Sequence, residues 1–187
     1  MISFRLILLW ALSVVAGSTN AQPYEGETVF AKGAWRVELT HNTSTGSLWC
    51  AAETSNNAAQ SMSVIAYDNS TLAFFLIDHD WNLQPRSVKF LLDIDYSRWT
   101  MTGSADGIGV SLNMKDVEKS VTFLTELQKG RAVAIYTAQG ERLATFSLSG
   151  SFAAITSLFE CWEAIAPNQD PFGNDADPFG SSADPFN

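Results

Sequence analysis

Asp78-His79-Asp80 is the local run in this chain whose residue types suit metal chemistry. Two carboxylates and an imidazole supply the oxygen and nitrogen ligands that zinc or manganese accept. Such a site would be a metal-assisted hydrolase using Asp78, His79 and Asp80, with His41, the only other histidine, as a further ligand. Successive residues of a strand point to opposite faces, so at most Asp78 and Asp80 share a side. That geometry favours the competing reading, a solvated strand end running into the turn Asp80-Trp81-Asn82.

Other chemistries have less footing. A serine nucleophile needs a histidine base held by a carboxylate. His41 lies in the polar turn cluster Thr40-His41-Asn42, and no Gly-x-Ser-x-Gly elbow occurs. Gly150-Ser151 opens a helical stretch, where serine is the expected N-cap. Asp93 and Asp95 alternate in Leu92-Asp93-Ile94-Asp95 and read as the wet face of an amphipathic strand, although paired carboxylates also serve glycoside hydrolysis. Trp35, Trp49 and Trp162 fall inside periodic elements and read as core, whereas Trp81 and Trp99 fall at element ends and are the better surface candidates. The expectation is a non-enzyme, with no catalytic set, metal or cofactor.

The elements that would position these residues are mostly strands. Ala34–Leu39, Leu48–Glu53, Met62–Tyr67, Thr71–Ile77, Ser87–Ile94, Arg98–Thr102 and Gly109–Asn113 are β-rich runs bounded by Asn, Gly, Ser and Asp. Tyr67-Asp68-Asn69-Ser70-Thr71 is the clearest hairpin turn. Two stretches change to helical period. Over Lys115–Lys129, Val117, Val121, Leu124 and Leu127 form one stripe and Gly130 supplies the stop. Over Ser151–Ile165, the stripe is Ile155, Leu158, Phe159, Trp162 and Ile165, with Cys161 beside it. Between the helices, Ala132–Thr137 and Leu143–Leu148 read as another hairpin. The fold class expected is mainly β, with sandwich-like antiparallel sheets and two flanking α-helices.

Residues 1–21 read as a secretory signal peptide. Arg5 precedes an apolar run from Leu6 to Ala16 of about eleven residues, short of the ~20 that a spanning helix needs. Small and polar residues follow up to a cleavage site after Ala21. Residues 22–32 read as an N-terminal leader, 33–166 as one sandwich-like domain, and 167–187 as a disordered acidic tail. No later segment is apolar enough for a membrane span, so the mature chain is expected to be periplasmic or secreted.

Charge and cysteine usage agree with export. The whole chain carries 11 basic and 20 acidic residues, a net charge of −9, and loss of Arg5 with the signal makes it −10. That balance disfavours nucleic acid and anionic lipid surfaces, both of which call for clustered Lys and Arg. The two cysteines, Cys50 and Cys161, read as one disulfide in an oxidising compartment. The alternative is two separate buried thiols. With no Cys-x-x-Cys, neither a redox motif nor a thiolate metal site is supported.

The order of pieces resembles a known family. An early Trp35-Arg36-Val37 strand leads to Leu48-Trp49-Cys50. Much later come Lys129-Gly130-Arg131-Ala132, then Val133-Ala134-Ile135-Tyr136, then Ala144-Thr145-Phe146-Ser147-Leu148-Ser149-Gly150, and a helix from Ser151 through Leu158. This is similar to the invasion-associated locus B family of bacterial periplasmic proteins, best over Leu124–Cys161. The resemblance implies a small β-sandwich without catalysis, linked to host-cell interaction. It brings no catalytic residue across. The chain departs from the family in lacking central cysteines and in opening its last helix Gly150-Ser151-Phe152 rather than Gly-Phe.

Asp-Pro-Phe recurs at 170, 177 and 184 in the tail. Proline every seven residues excludes a coiled coil. Phe172, Phe179 and Phe186 are candidate docking anchors for an envelope or extracellular protein partner, each presented by an Asp-Pro turn. The alternative is a solvating low-complexity arm. The function expected is a secreted or periplasmic non-catalytic binding module of the bacterial envelope.

Overall fold

The computed structural model describes residues 23–56 and 58–166. The signal peptide read over 1–21 and the tail over 167–187, with Phe172, Phe179 and Phe186, lie outside them. The strands are β1 (Tyr24–Lys32), β2 (Trp35–Asn42), β3 (Leu48–Ser55), β4 (Gln60–Tyr67), β5 (Leu72–Asp78), β6 (Leu83–Ile94), β7 (Ser97–Gly107), β8 (Gly109–Met114), β9 (Ala132–Thr137) and β10 (Arg142–Ser147). Helix α1 (Val117–Lys129) lies between β8 and β9, and α2 (Ser151–Ile165) follows β10. The mainly β fold with two helices is thus observed, with one difference in arrangement. The strands form a single antiparallel sheet, in the order β1-β2-β3-β4-β5-β8-β7-β6-β9-β10, rather than two separate ones.

A twisted sheet of about ten strands must curl. Here the curl carries β10 back towards the start of β4. The meeting is made by side chains and not by a strand ladder. The Gln60 amide donates to the Leu143 carbonyl at 3.1 Å, and the Asn56 amide donates to the Thr145 carbonyl at 3.2 Å. Every second residue of the central strands then faces one core, including Val37, Cys50, Ala52, Met62, Val64, Phe74, Leu92, Ile135 and Phe146. The topology reaches this arrangement because the β6–β7 hairpin is laid down outside β8, and α1 returns the chain so that β9 pairs with β6.

The helices close the concave side. In α1 the buried face is Ser120, Phe123, Leu124 and Leu127, spaced i, i+3, i+4, i+7. This corrects the stripe expected from sequence, since Val121 is 55% exposed. Phe123 decides the rotation, because it packs edge-on against both Phe74 and Trp99. Asp116 caps the helix, accepting from the Lys119 backbone N–H at 3.1 Å. Helix α2 buries Ser151, Ala154, Ile155, Leu158 and Cys161 against β1–β4. Its N-cap is Gly150 at φ 98°, a conformation that suits glycine. Ser151, expected as the cap, is the first helical residue. Its hydroxyl donates instead to the Leu127 carbonyl at 2.6 Å, tying the start of α2 to the end of α1.

The leader expected over residues 22–32 is, from Tyr24 on, an edge strand. Its side chains are almost all exposed, so its sequence lacks the apolar alternation that marks a strand. The β2 ladder holds it, with a bulge between Thr28 and Phe30.

The disulfide is present. Cys50 of β3 and Cys161 of α2 are bonded with their Cα atoms 6.1 Å apart, joining positions separated by 111 residues. The Trp162 indole N–H donates to the Tyr67 carbonyl at 2.9 Å beside it.

Candidate functional site

The β6–β9 ladder covers only Phe90–Ile94, with Thr137 opposite Phe90. Strand β6 therefore runs on through Leu83–Lys89 with β7 on one side and no β9 partner on the other. Behind this gap lies an apolar cavity of about 270 Å3. Leu76, Leu83, Val88, Phe90, Ala105, Val110 and Leu143 form its body, with Trp81 over it and Arg86, Lys89, Thr137 and Gln139 completing the lining. No helical residue contributes. The cavity exists because α1 and α2 fill the rest of the concave face and stop short of this part.

The Asp78-His79-Asp80 run acts on this cavity indirectly. Asp78 is buried, and both of its oxygens are engaged: one accepts from the Gln60 amide at 2.7 Å, the other from the Asp80 backbone N–H at 2.9 Å. Its own carbonyl accepts from the Trp81 N–H at 3.0 Å. These bonds close a turn that places Trp81 in the cavity lining. The same Gln60 amide reaches Leu143, so Asp78 also anchors the seam between β4 and β10. Asp78 is thus occupied with positioning, and His79 and Asp80 are on the turn.

The sheet register separates the two histidines. His41, which is part of β2 rather than of a turn, pairs with Leu48. His79 follows Asp78, which pairs with Gln60 at the opposite end of β4 from the Tyr67–Trp49 pair. An eight-residue strand spans roughly 23 Å, too far for both to ligate one ion. Among the described residues, no group of three His, Cys, Asp or Glu side chains is gathered to hold a metal.

The tryptophans sort differently from the sequence reading at two positions. Trp35 is core, 1% exposed. Trp49 is instead half-buried on the outer face, against Tyr24 and Tyr67. Trp99, expected at the surface, lies within β7 and donates its indole N–H to Glu126 at 2.7 Å, which fixes α1. Trp81 is part of the lining of the apolar cavity. Asp93 on β6 makes a two-pronged pair with Arg98 at 2.7 Å, and this hydrogen bonding holds its carboxyl below the usual range. Asp95, at φ 50°, belongs to the β6–β7 turn and accepts from the Arg131 backbone N–H. These two carboxylates therefore serve the hairpin and the β9 entry. Burial pushes the Tyr67 phenol up.

Sequence reasoning missed most of the cavity lining. The available signal was the alternation Arg86, Val88, Phe90, Leu92, which puts a cation on the core-facing side at a strand end. Comparison with family models, curated proteins and solved structures finds no match.

Proposed function

We propose that this chain is a non-catalytic binding module of the bacterial envelope, periplasmic or secreted, and that the cavity under Trp81 is its binding site. The cavity carries this reading: concave, apolar sites with a few polar groups at the rim are where small molecules bind. The disulfide suits an oxidising compartment, and among the described residues no helix is long and apolar enough to cross a membrane. Resemblance to the invasion-associated locus B family over Leu124–Cys161 points the same way.

Toluene, a neutral probe smaller than the cavity, tests the site in the mature protein. It is expected to bind one-to-one and raise the melting temperature with concentration, as any ligand of the folded state does. Val88→Trp, which fills the cavity from β6, removes that effect. No saturable binding of toluene would overturn the assignment of the site. Addition of a chelator is expected to leave the melt unchanged. A fall in melting temperature on chelation, or stoichiometric zinc in the purified protein, would restore the metal-assisted hydrolase using Asp78, His79 and Asp80.

A further inference from the structure

Resting on the cavity as a binding site, we infer that its ligand is a small amphiphilic carboxylate, a hydrocarbon body of roughly nine heavy atoms with one anionic head. The size follows from the 270 Å3 volume at about 30 Å3 per water-sized unit. The body is dictated by the lining, whose deep residues Leu76, Phe90, Ala105 and Val110 are buried and apolar.

The head is dictated by charge. In a chain with 20 acidic and 11 basic residues, no carboxylate lines the cavity, and the cation on its side of β6 is Arg86, in line with Val88 and Phe90. Asp80 and Asp106 adjoin Trp81 and Ala105 in sequence, yet neither lines it. Arg86 is exposed at the mouth, whereas Lys89, which alternates with Val88, is exposed on the outer face of β6. Among the described residues the ion pairs are Arg36–Glu53, Arg98–Asp93 and Lys119–Asp116, so Arg86 has no carboxylate partner among them. The Arg86 guanidinium makes one hydrogen bond, donated to the Gln84 carbonyl at 3.2 Å. Its remaining donors suit the two oxygens of a carboxylate.

The open β6 edge raises another occupant, an extended peptide added as a strand. Pro85 sits in that edge and has no N–H to give, and Arg86 and Lys89 place charges along it. Proline and charge are how sheets refuse a further strand. The gap is thereby closed to a β-paired peptide and open to a small molecule.

Octanoate, octanol, methyl octanoate and octylamine, titrated into the full mature protein by calorimetry, separate head from body. Octanoate is expected to bind one-to-one, about tenfold or more tighter than either neutral compound, with octylamine weakest. Arg86→Gln brings octanoate down to the level of octanol at unchanged melting temperature, whereas Lys89→Gln, on the outer face, leaves octanoate binding unchanged. Val88→Trp, or Leu83→Trp should the first fold poorly, abolishes all binding. Equal affinity for octanoate and octanol, unaffected by the glutamine variants, overturns the carboxylate while toluene binding keeps the site. Displacement of octanoate by a synthetic peptide of residues 170–187 makes the Asp-Pro-Phe tail the occupant and overturns the small-molecule assignment.

Discussion

The region around Cys50 and the region around Gln60 lie at opposite ends of β3 and β4, and they are held by different means. At the first, α2 lies across β1–β4, the Cys50–Cys161 bond joins helix to sheet, and Trp162 adds a hydrogen bond to Tyr67. At the second, no helix covers the sheet, and the two halves of the curl are clasped by the amides of Asn56 and Gln60 with Asp78 behind them. The first region is filled; the second leaves a cavity. The fold thus places its covalent and helical reinforcement away from the cavity, which remains underpacked.

The most severe way to break this contrast is to remove the covalent link. Replacing both cysteines by alanine is expected to destabilise the protein by up to about 4–5 kcal/mol, the chain-entropy value for a loop of this length. Urea unfolding of the two forms measures it. A loss confined to tenths of a kcal/mol would mean that α2 is held by its apolar face alone.

Gln60→Leu addresses the other region. It deletes the amide's bond to Leu143 across the seam and its bond from Asn56, and leaves one Asp78 oxygen buried without a donor, at a cost of about 2–3 kcal/mol. The same variant is expected to loosen the turn before Trp81 and so to weaken toluene binding. Unchanged binding with lowered stability would show that the seam and the cavity are independent.

Thr54→Val sharpens the comparison from the Gln60 end of β3, in the buried row that leads through Met62 to Leu76. Trp35 and Thr54 pair across β2 and β3, and the Trp35 Nε1 and Thr54 Oγ1 atoms are both buried without a direct protein partner. Removing the hydroxyl at constant shape is expected to stabilise by about 1 kcal/mol. A fall in stability would identify a water bridging the two groups.

The smallest effect belongs to the Asp93–Arg98 pair on the exposed hairpin. The Asp93 pKa is depressed in the folded state by its bonds to Arg98. Its contribution is therefore present above the unfolded carboxylate pKa and is lost as pH falls through the lower folded value. Asp93→Asn is expected to flatten that acid limb slightly, read from melts below pH 5, and to leave the neutral-pH melt nearly unchanged.

Much of the fold was legible because one face of most strands is buried. Leu48–Ser55, Gln60–Tyr67 and Leu72–Asp78 carry buried residues at alternate positions, and both helices have apolar faces. Strand β1 was not legible, because an edge strand packed on little need not be apolar. The rotation of α1 was misread because Val121 sits at helical spacing with Leu124 and yet points to solvent, while Phe123 takes the core place. The cavity was hidden for a different reason. Its lining comes from β5, β6, β7, β8, β9, β10 and two turns, and only the curl of the sheet brings Leu143 of β10 near Leu76 of β5. The Asp78 run was noticed for its chemistry, whereas its hydrogen bonds to Gln60 and to the Asp80 N–H give it an architectural task.

The 111 residues that separate Cys50 from Cys161 also impose an order of events on the growing chain. At roughly 5–20 residues per second, Cys50 emerges about 6–22 s before its partner. In that interval β1 to β5 can zip as successive local hairpins, the kind of contact that forms early. The Cys50 thiol spends the same interval on a half-built sheet whose inner face has no helix over it. Shielding that face from other chains, and that thiol from other thiols, is then the task that any folding assistant for this protein must meet first.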